Sequence, residues 1–507
     1  MGEEMRHTVR NFSKPLPLTR RELLRGTALA AGSMLVGCGQ RGCSRSAPLE
    51  KRTADVVVIG AGLSGLVTAR ELLKAGAGSV VVLEARNRVG GLTISQEAAP
   101  GVFVDGGGSW VRPNHTRILA LAEELGVSAV DVSEGRGSPI FLFDGVRIAG
   151  AGRLFSRAEM RELRGLRDKL EAMGAELPDG APWNAPRAAE YDSISMFNWL
   201  SENSTTVWGR RDVEMAIDWT FGCGPEEISL LRFVAAVKAQ GGLENLMAIS
   251  REIPKVFVGG SQQLSLKMAE LLGDRVLLGS PVTRIVDEPS GPLRVETERL
   301  SIECHRVVVA MMPADARRID FEPSLPKPKK ELIRQWSGSP DYKVHIVYEK
   351  PFWRANGLNG IGVGDGSVVD FIFDNTPSSG APGILVAFGA GEELPASLRA
   401  RREAVVEALL DFFGDEAREA INVVDMDWLS EPWSSGCASP LRPGVLSKYG
   451  AALRDPVGRI HWAGSDTSLE HDGSMEGAVR SGERAAAEVA TALRERGVIP
   501  APATSSG

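Results

Sequence analysis

A β-branched run, Asp55-Val56-Val57-Val58-Ile59, ends directly in Gly60-Ala61-Gly62-Leu63-Ser64-Gly65, and a helical pattern through Ala69, Leu72 and Leu73 comes next. An uninterrupted apolar run of this kind reads as a buried parallel strand. A second one, Val80-Val81-Val82-Leu83, ends in Glu84, nineteen residues beyond Gly65. The glycine pattern alone is weak evidence. Between a strand and a helix, with an acid closing the next strand, it specifies a dinucleotide site on a Rossmann-type α/β domain. Gly60 allows the tight turn, Gly62 lets a pyrophosphate approach the backbone, and Gly65 lets helix and strand pack closely. The helix start at Leu63 and Ser64 then offers free N–H groups and a positive dipole end to the phosphates. Glu84 is expected to accept from the ribose hydroxyls.

The segment after this acid narrows the choice of dinucleotide. Glu84-Ala85-Arg86-Asn87-Arg88-Val89-Gly90-Gly91 brings two arginines and a second glycine pair beside the first loop. A fold that binds NAD alone has no evident need of it. Val104-Asp105-Gly106-Gly107-Gly108-Ser109-Trp110 is a third glycine turn. Phe257-Val258-Gly259-Gly260-Ser261 opens a helical stretch to Leu272, followed by Arg275-Val276-Leu277 and Pro281-Val282-Thr283-Arg284-Ile285. Leu293-Arg294-Val295 and Arg306 to Ala310 read as further strands of the same domain. Near the C-terminus, Gly458 to Thr467 precedes Gly473-Ser474-Met475-Glu476-Gly477-Ala478. With Asp341-Tyr342-Lys343-Val344-His345-Ile346-Val347-Tyr348 and Lys350-Pro351-Phe352-Trp353, these blocks resemble the flavin-containing amine oxidase family, its monoamine oxidase branch in particular. The likeness is colinear from about residue 53 to 490.

The resemblance implies FAD as cofactor. It would be held by the Gly60–Gly65 loop, Glu84, Ala85, Arg86, Gly90, Gly91, Gly107, Gly108 and Ser109, with the backbone of Val282 at the adenine. Gly464, Ser465, Asp466, Gly473, Ser474 and Met475 would complete the site. A helix starting near Ser474 and aimed at the flavin pyrimidine edge would stabilise negative charge on the reduced ring; plain helix–sheet packing of small residues is the other reading. In the family an arginine follows the second glycine pair, whereas Leu92 stands here, so that phosphate contact is not carried over. Lys343 matches the lysine that holds a water near flavin N5 and assists reoxidation. A lysine in an apolar strand is uncommon because burial opposes its charge; an edge-strand lysine facing solvent is the alternative. Trp428 matches a tryptophan packed on the flavin. Cys437 matches a cysteine that forms a thioether to flavin in animal monoamine oxidases, and a buried thiol with non-covalent FAD is the favoured reading. Cys223 and Cys304 read as core thiols.

The departures concern the substrate. Two tyrosines that cage the amine in monoamine oxidases are replaced by Ala438 and Ser474. The vacated space admits a bulkier or cyclic amine, or is filled by Trp433 or Trp462. His471, just ahead of the Gly473 turn, reads either as a pocket-lining residue or, as favoured, as a surface-loop one. The implied reaction is oxidation of a C–N bond of a small-molecule amine to an imine, by hydride transfer to flavin. O2 or a periplasmic carrier would take the electrons. The alternatives are an amino acid or non-amine donor on the same fold, or a flavin-binding protein without turnover. An amino acid would need a cation for its carboxylate, and the sequence does not locate one.

The first residues read as an address. Thr19-Arg20-Arg21-Glu22-Leu23-Leu24 is a twin-arginine pattern, followed by an apolar stretch from Gly26 to Gly37 and by Leu35-Val36-Gly37-Cys38. Twelve residues rise only about 18 Å as a helix, too short to span a bilayer. The pattern predicts export of a folded, cofactor-loaded protein and lipidation at Cys38. The expected organisation is a signal (1–37), a tether (38–52), cofactor-domain pieces at 53–125, 257–315 and 436–495, substrate-domain pieces at 126–256 and 316–435, and a tail (496–507). Ser156-Arg157-Ala158-Glu159 is a capping box opening a charged helix through Leu170. The whole chain has 58 basic and 65 acidic side chains, which excludes the basic footprint of a nucleic-acid partner. Its six histidines and five cysteines make no metal-ligand spacing, so no metal is expected. A membrane contact is expected only through the lipid, and the oligomeric state is left open.

Overall fold

The computed structural model describes residues 49–500 apart from 133–134, 151–154, 247–253, 289, 340, 367, 391–393, 396, 429 and 438. The export motif, Cys38 and Ala438 lie outside the described residues. Two sheets carry the architecture. The first runs 320–322, 282–287, 293–297, 300–310, 50–59, 80–83, 276–277, with 460–463 beside 300–310. The Glu50–Ile59 strand pairs in parallel with both Leu300–Ala310 and Val80–Leu83. Val56, Val57 and Val58 are all fully buried, because both faces of this strand are covered. Val56 and Val58 meet Leu66, Leu72, Val479 and Ala485 from the helices Leu63–Lys74 and Met475–Glu495. Val57 and Ile59 meet Ile285, Val295 and Trp462 on the other side. An α/β domain of Rossmann type is therefore what the structure holds.

The second sheet runs 422–427, 341–348, 383–390, 371–374, 358–364, 138–143, 146–149. A helical lobe, including Arg157–Ala175, Val207–Phe221 and Leu230–Ala239, has its own core around Tyr191, Trp199, Phe233 and Trp336. The Ser156 capping box is formed, and its helix continues to Ala175. Two boundaries differ from those read in the sequence. Residues 50–52, placed in a tether, pair with 300–302 as the start of the first strand. Residues 320–322, placed in the substrate domain, pair in parallel with 284–286 in the cofactor sheet. Both segments are short and polar, so hydrophobic periodicity does not mark them, and backbone pairing decides their place. The hairpin of Ser95–Ala99 and Val102–Asp105 ties the two sheets together, through Ala98 and Val104 against Val347 and Ile384.

Candidate active site

A cavity of about 580 Å³ opens between the two sheets. Of the residues expected at the site, the described ones line it apart from Ala61, Gly65 and Trp462, and Gly65 acts behind the wall. A Cβ at Gly65 would stand 1.9 Å from the Gly60 carbonyl oxygen and 3.3 Å from Ala310 Cβ, so only glycine lets this helix approach the strand. Gly62 caps the helix with no side-chain hydrogen bond, which leaves the first-turn N–H groups at Leu63 and Ser64 for a ligand. The second glycine pair packs directly on the first loop: Gly90 N–H donates to the Ala61 carbonyl at 2.8 Å, and Gly62 and Gly90 form a bridge. Glu84 is buried. Its carboxylate accepts from Ala61 N–H (2.8 Å) and Arg86 N–H (2.9 Å), which fixes it at the cavity edge. Arg86 lies 3.2 Å and Arg88 3.8 Å from Glu431, and Arg88 also donates to the carbonyl of Gly91. Leu92 also lines the cavity, and its carbonyl accepts from Gly108 N–H. A cradle of bare backbone, an open helix start and a fixed acid is the donor set that a dinucleotide requires, so the residues present fit FAD.

The other end is organised by Lys343. Its strand Asp341–Tyr348 is no edge: it is hydrogen-bonded to 383–390 on one side and 422–427 on the other. The side chain is 4 % exposed. The ammonium donates to the Gly107 carbonyl at 2.8 Å and to Ser109 Oγ. Burial pulls its pKa down to about 8, against the pull of the Asp105 carboxylate, which favours the charge. Asp105 is itself raised by burial, although Ser261 N–H (2.7 Å) and the hydroxyls of Ser95 and Ser261 donate to it. Trp428, also buried, donates from Nε1 to the Gly106 carbonyl at 3.0 Å. A Cβ on Gly107 would meet the Leu92 carbonyl oxygen at 1.9 Å and the Trp428 ring at 2.9 Å. The Gly106–Ser109 turn is thus clasped by Lys343 and Trp428 from the second sheet.

Ser474 is the N-cap of Met475–Glu495: its Oγ accepts from Gly477 N–H and donates to the His471 carbonyl. Gly464, Ser465 and Asp466 line the same wall. Asp466 is buried, accepts from Ser439 Oγ at 3.2 Å, and is pushed up to about 6 by desolvation. Val282 begins a strand at the cavity edge, next to an irregularity in its pairing.

Five expectations need correction. Trp433 does not join the rings around Lys343; it lies under the Arg318 guanidinium (5.5 Å), beside the Glu431 that pairs with Arg86, at the Glu84 end. Trp462 lines no part of the cavity and packs on Phe321, with the Lys329 ammonium 4.0 Å from its ring. Cys437 is an exposed thiol on the cavity wall, not a buried one, and Cys223 is only partly buried. His471 is buried with its ring 4.9 Å from that of His115, where burial lowers both pKa values, His115 to about 4. Sequence reading missed the aromatic wall of Trp110, Trp219, Phe371 and Phe388, and it missed Arg112, Asp218 and Asp370 beside it. Alternation of Phe371 and Phe373 in a strand was the available signal.

Comparisons with known proteins agree with this geometry. A family model described as flavin containing amine oxidoreductase matches residues 63–490. A putrescine oxidase from Kocuria rosea is 36 % identical over 456 residues, 86 % of this chain and 95 % of that protein. The solved structure of putrescine oxidase bound to putrescine superposes with a TM-score of 0.81 at 33 % identity. Cyclohexylamine oxidase from Brevibacterium oxydans does so with 0.81 at 32 %, and each match covers 87 % of this chain and 100 % of the other. The chain belongs to the flavin-containing amine oxidoreductase family.

Proposed function

We propose that this protein oxidises the C–N bond of an amine to an imine, and the buried Lys343 clasped to the Gly106–Ser109 turn carries that reading. FAD, held by the glycine loops and Glu84, would supply the two-electron acceptor for this oxidation. The chain supplies the rest. Gly107 O and Ser109 Oγ use two donor positions of Lys343, so the remaining position at Nζ is available to hold a water on the cavity side. Trp428 fixes the turn from behind. The rings of Trp110 and Phe388, 5.5 and 5.4 Å from Nζ, exclude bulk water and favour an uncharged amine in front of it. Water then hydrolyses the released imine to a carbonyl compound and ammonia.

Arg112 favours a second reading, an α-amino acid as donor. It lines the chamber, with one guanidinium nitrogen held by the Asn245 carbonyl at 2.8 Å, and supplies the cation that the sequence alone did not locate. Turnover of matched amine and α-amino acid pairs, followed as ammonia and carbonyl product, separates the two. Ammonia from the amine only supports the proposal, and ammonia from the amino acid only overturns it. Running the assay with O2 or with an artificial acceptor alone identifies which electron acceptor the holoenzyme uses.

The protein is further proposed to be exported by the twin-arginine route and lipidated at Cys38, on the strength of the Arg20-Arg21 pattern and the Leu-Val-Gly-Cys run. Among the described residues no helix is long and apolar enough to cross a membrane. Fractionation of cells expressing wild type, R20K/R21K and C38S tests it. Retention of the first variant inside the cell and release of the second from the membrane are expected. Unchanged distribution of both contradicts it.

A further inference from the structure

The wall of the chamber in front of Lys343 is built from rings contributed by three different parts of the chain. Trp110 follows the third glycine turn, and Phe371 and Phe388 come from two paired strands, with Phe373 packed against these rings from outside the lining. Trp219 comes from the last turn of the Val207–Phe221 helix in the helical lobe. Its ring centroid lies 5.1 Å from Phe371, 5.1 Å from Phe373, 5.2 Å from Phe388 and 6.5 Å from Trp110. These are edge and tilted contacts of the kind that hold rings rigidly. Trp110 and Phe388 in turn flank the Lys343 ammonium. Trp219 is therefore the helical lobe's contribution to a wall whose other rings are fixed by the sheet and the cofactor turn. Substituting it changes the depth of the chamber without touching Lys343, Trp428 or the glycine loops.

Resting on the amine reading above, we infer that Trp219 is the residue that sets substrate size, and that the preferred substrate is a monoamine with a cyclic or aryl body seated against this wall. Two features of the chamber support it. The lining also includes the small Ser474, whose hydroxyl is consumed as a helix cap, so no large side chain from that loop position takes up the chamber. The rings of Trp110, Trp219, Phe371 and Phe388 present flat apolar faces to the chamber, which reward a rigid ring with large contact area at little entropic cost. Asp218 and Asp370 also line the chamber, and recognition of a second cation by either is the competing outcome.

The test uses flavin-loaded wild type, W219F, W219L and W219A. Anaerobic flavin reduction is followed with a series of increasing size: a linear alkylamine, a cyclohexyl-type amine, a benzyl-type amine, a naphthylmethyl-type amine, and a linear diamine of matched length. Wild type is expected to favour the single-ring amines over the linear one. W219A is expected to shift the ratio of the two-ring to the single-ring amine by at least about 10-fold, chiefly through KM, with W219F close to wild type. If W219A does not retain flavin, W219L is read on the same ratio, with the same direction and a smaller shift expected. A ratio unchanged in flavin-loaded W219A or W219L overturns the assignment and leaves the amine reading standing. Preference of wild type for the diamine over the single-ring amines overturns the substrate class. No reduction of wild-type flavin by any amine overturns the amine reading and this inference with it.

Discussion

The ε-amine of Lys343 sits where a charge is costly, and that cost has a measurable sign. Its pKa is about 8 in the fold against 10.5 for the free side chain. A charged lysine is therefore penalised on folding, by about 3 kcal/mol at pH 7 at ~1.4 kcal/mol per unit. The penalty fades as pH rises from 8 towards 10.5, where the unfolded chain also loses its proton. Lys343→Met removes the penalty together with two hydrogen bonds worth about 1 kcal/mol each. Thermal melts should find the variant more stable than wild type at pH 7 by about 1 kcal/mol, and less stable near pH 10.5. The same amine gains its lone pair above pH 8. Reoxidation of the reduced flavin, the step in which the water held by Lys343 is expected to act, should thus change with pH about a midpoint near 8, and K343M should lose both this dependence and about 100-fold in that rate. A profile identical in both proteins would remove Lys343 from the chemistry. Lys343 is legible in the sequence because a lysine in an apolar strand is conspicuous. The place of Trp433 is not, because sequence neighbourhood to Cys437 does not say which end of a long cavity a loop residue faces.

At the scale of elements, the strand–turn–helix units explain why so much of the cofactor domain is legible in the sequence. Val56–Val58 and Val80–Leu83 are buried on both faces, and a run buried on both faces shows itself as continuous valine. The Glu50–Arg52 and Asp320–Glu322 edges lack that signature, and the sequence puts both on the wrong side of a domain boundary. The aromatic wall escapes because its rings come from elements far apart in sequence, which only the fold joins. The Met475–Glu495 helix gives two predictions. Ser474→Ala removes its cap and should cost about 1 kcal/mol in denaturant unfolding. Glu476 is fully buried; it accepts from Arg117 N–H, Ile118 N–H (2.8 Å) and Arg480 Nε (2.6 Å), and so joins this helix to the start of Thr116–Glu124. Glu476→Ala leaves the buried Ile118 N–H without its partner and takes one of two carboxylates from the partly exposed Arg480, which keeps Glu470, and should cost about 2 kcal/mol. A loss no larger than that of Ser474→Ala would show that this junction is not what holds the two helices. Gly65→Ala is a stricter test of the strand–turn–helix unit. The added methyl meets a carbonyl oxygen at 1.9 Å, so the variant should purify with little or no flavin.

The whole molecule places a dinucleotide cradle on one sheet and a buried lysine on the other, with the Gly106–Ser109 turn held between them. Residues 49–500 contain every element of that arrangement. A chain beginning at residue 49 should therefore keep flavin, thermal stability and amine turnover. Loss of flavin on this truncation would show that the leader takes part in the fold. The central claim, that the cavity joins an amine to a flavin, is tested most directly by mixing the purified holoenzyme with amines in the absence of oxygen. The visible flavin absorption is then followed in time. Bleaching by a monoamine with a cyclic or aryl body is the result the structure predicts. A tightly bound flavin that no amine bleaches would contradict the account, because the same cavity would then hold its cofactor for a different donor or for none.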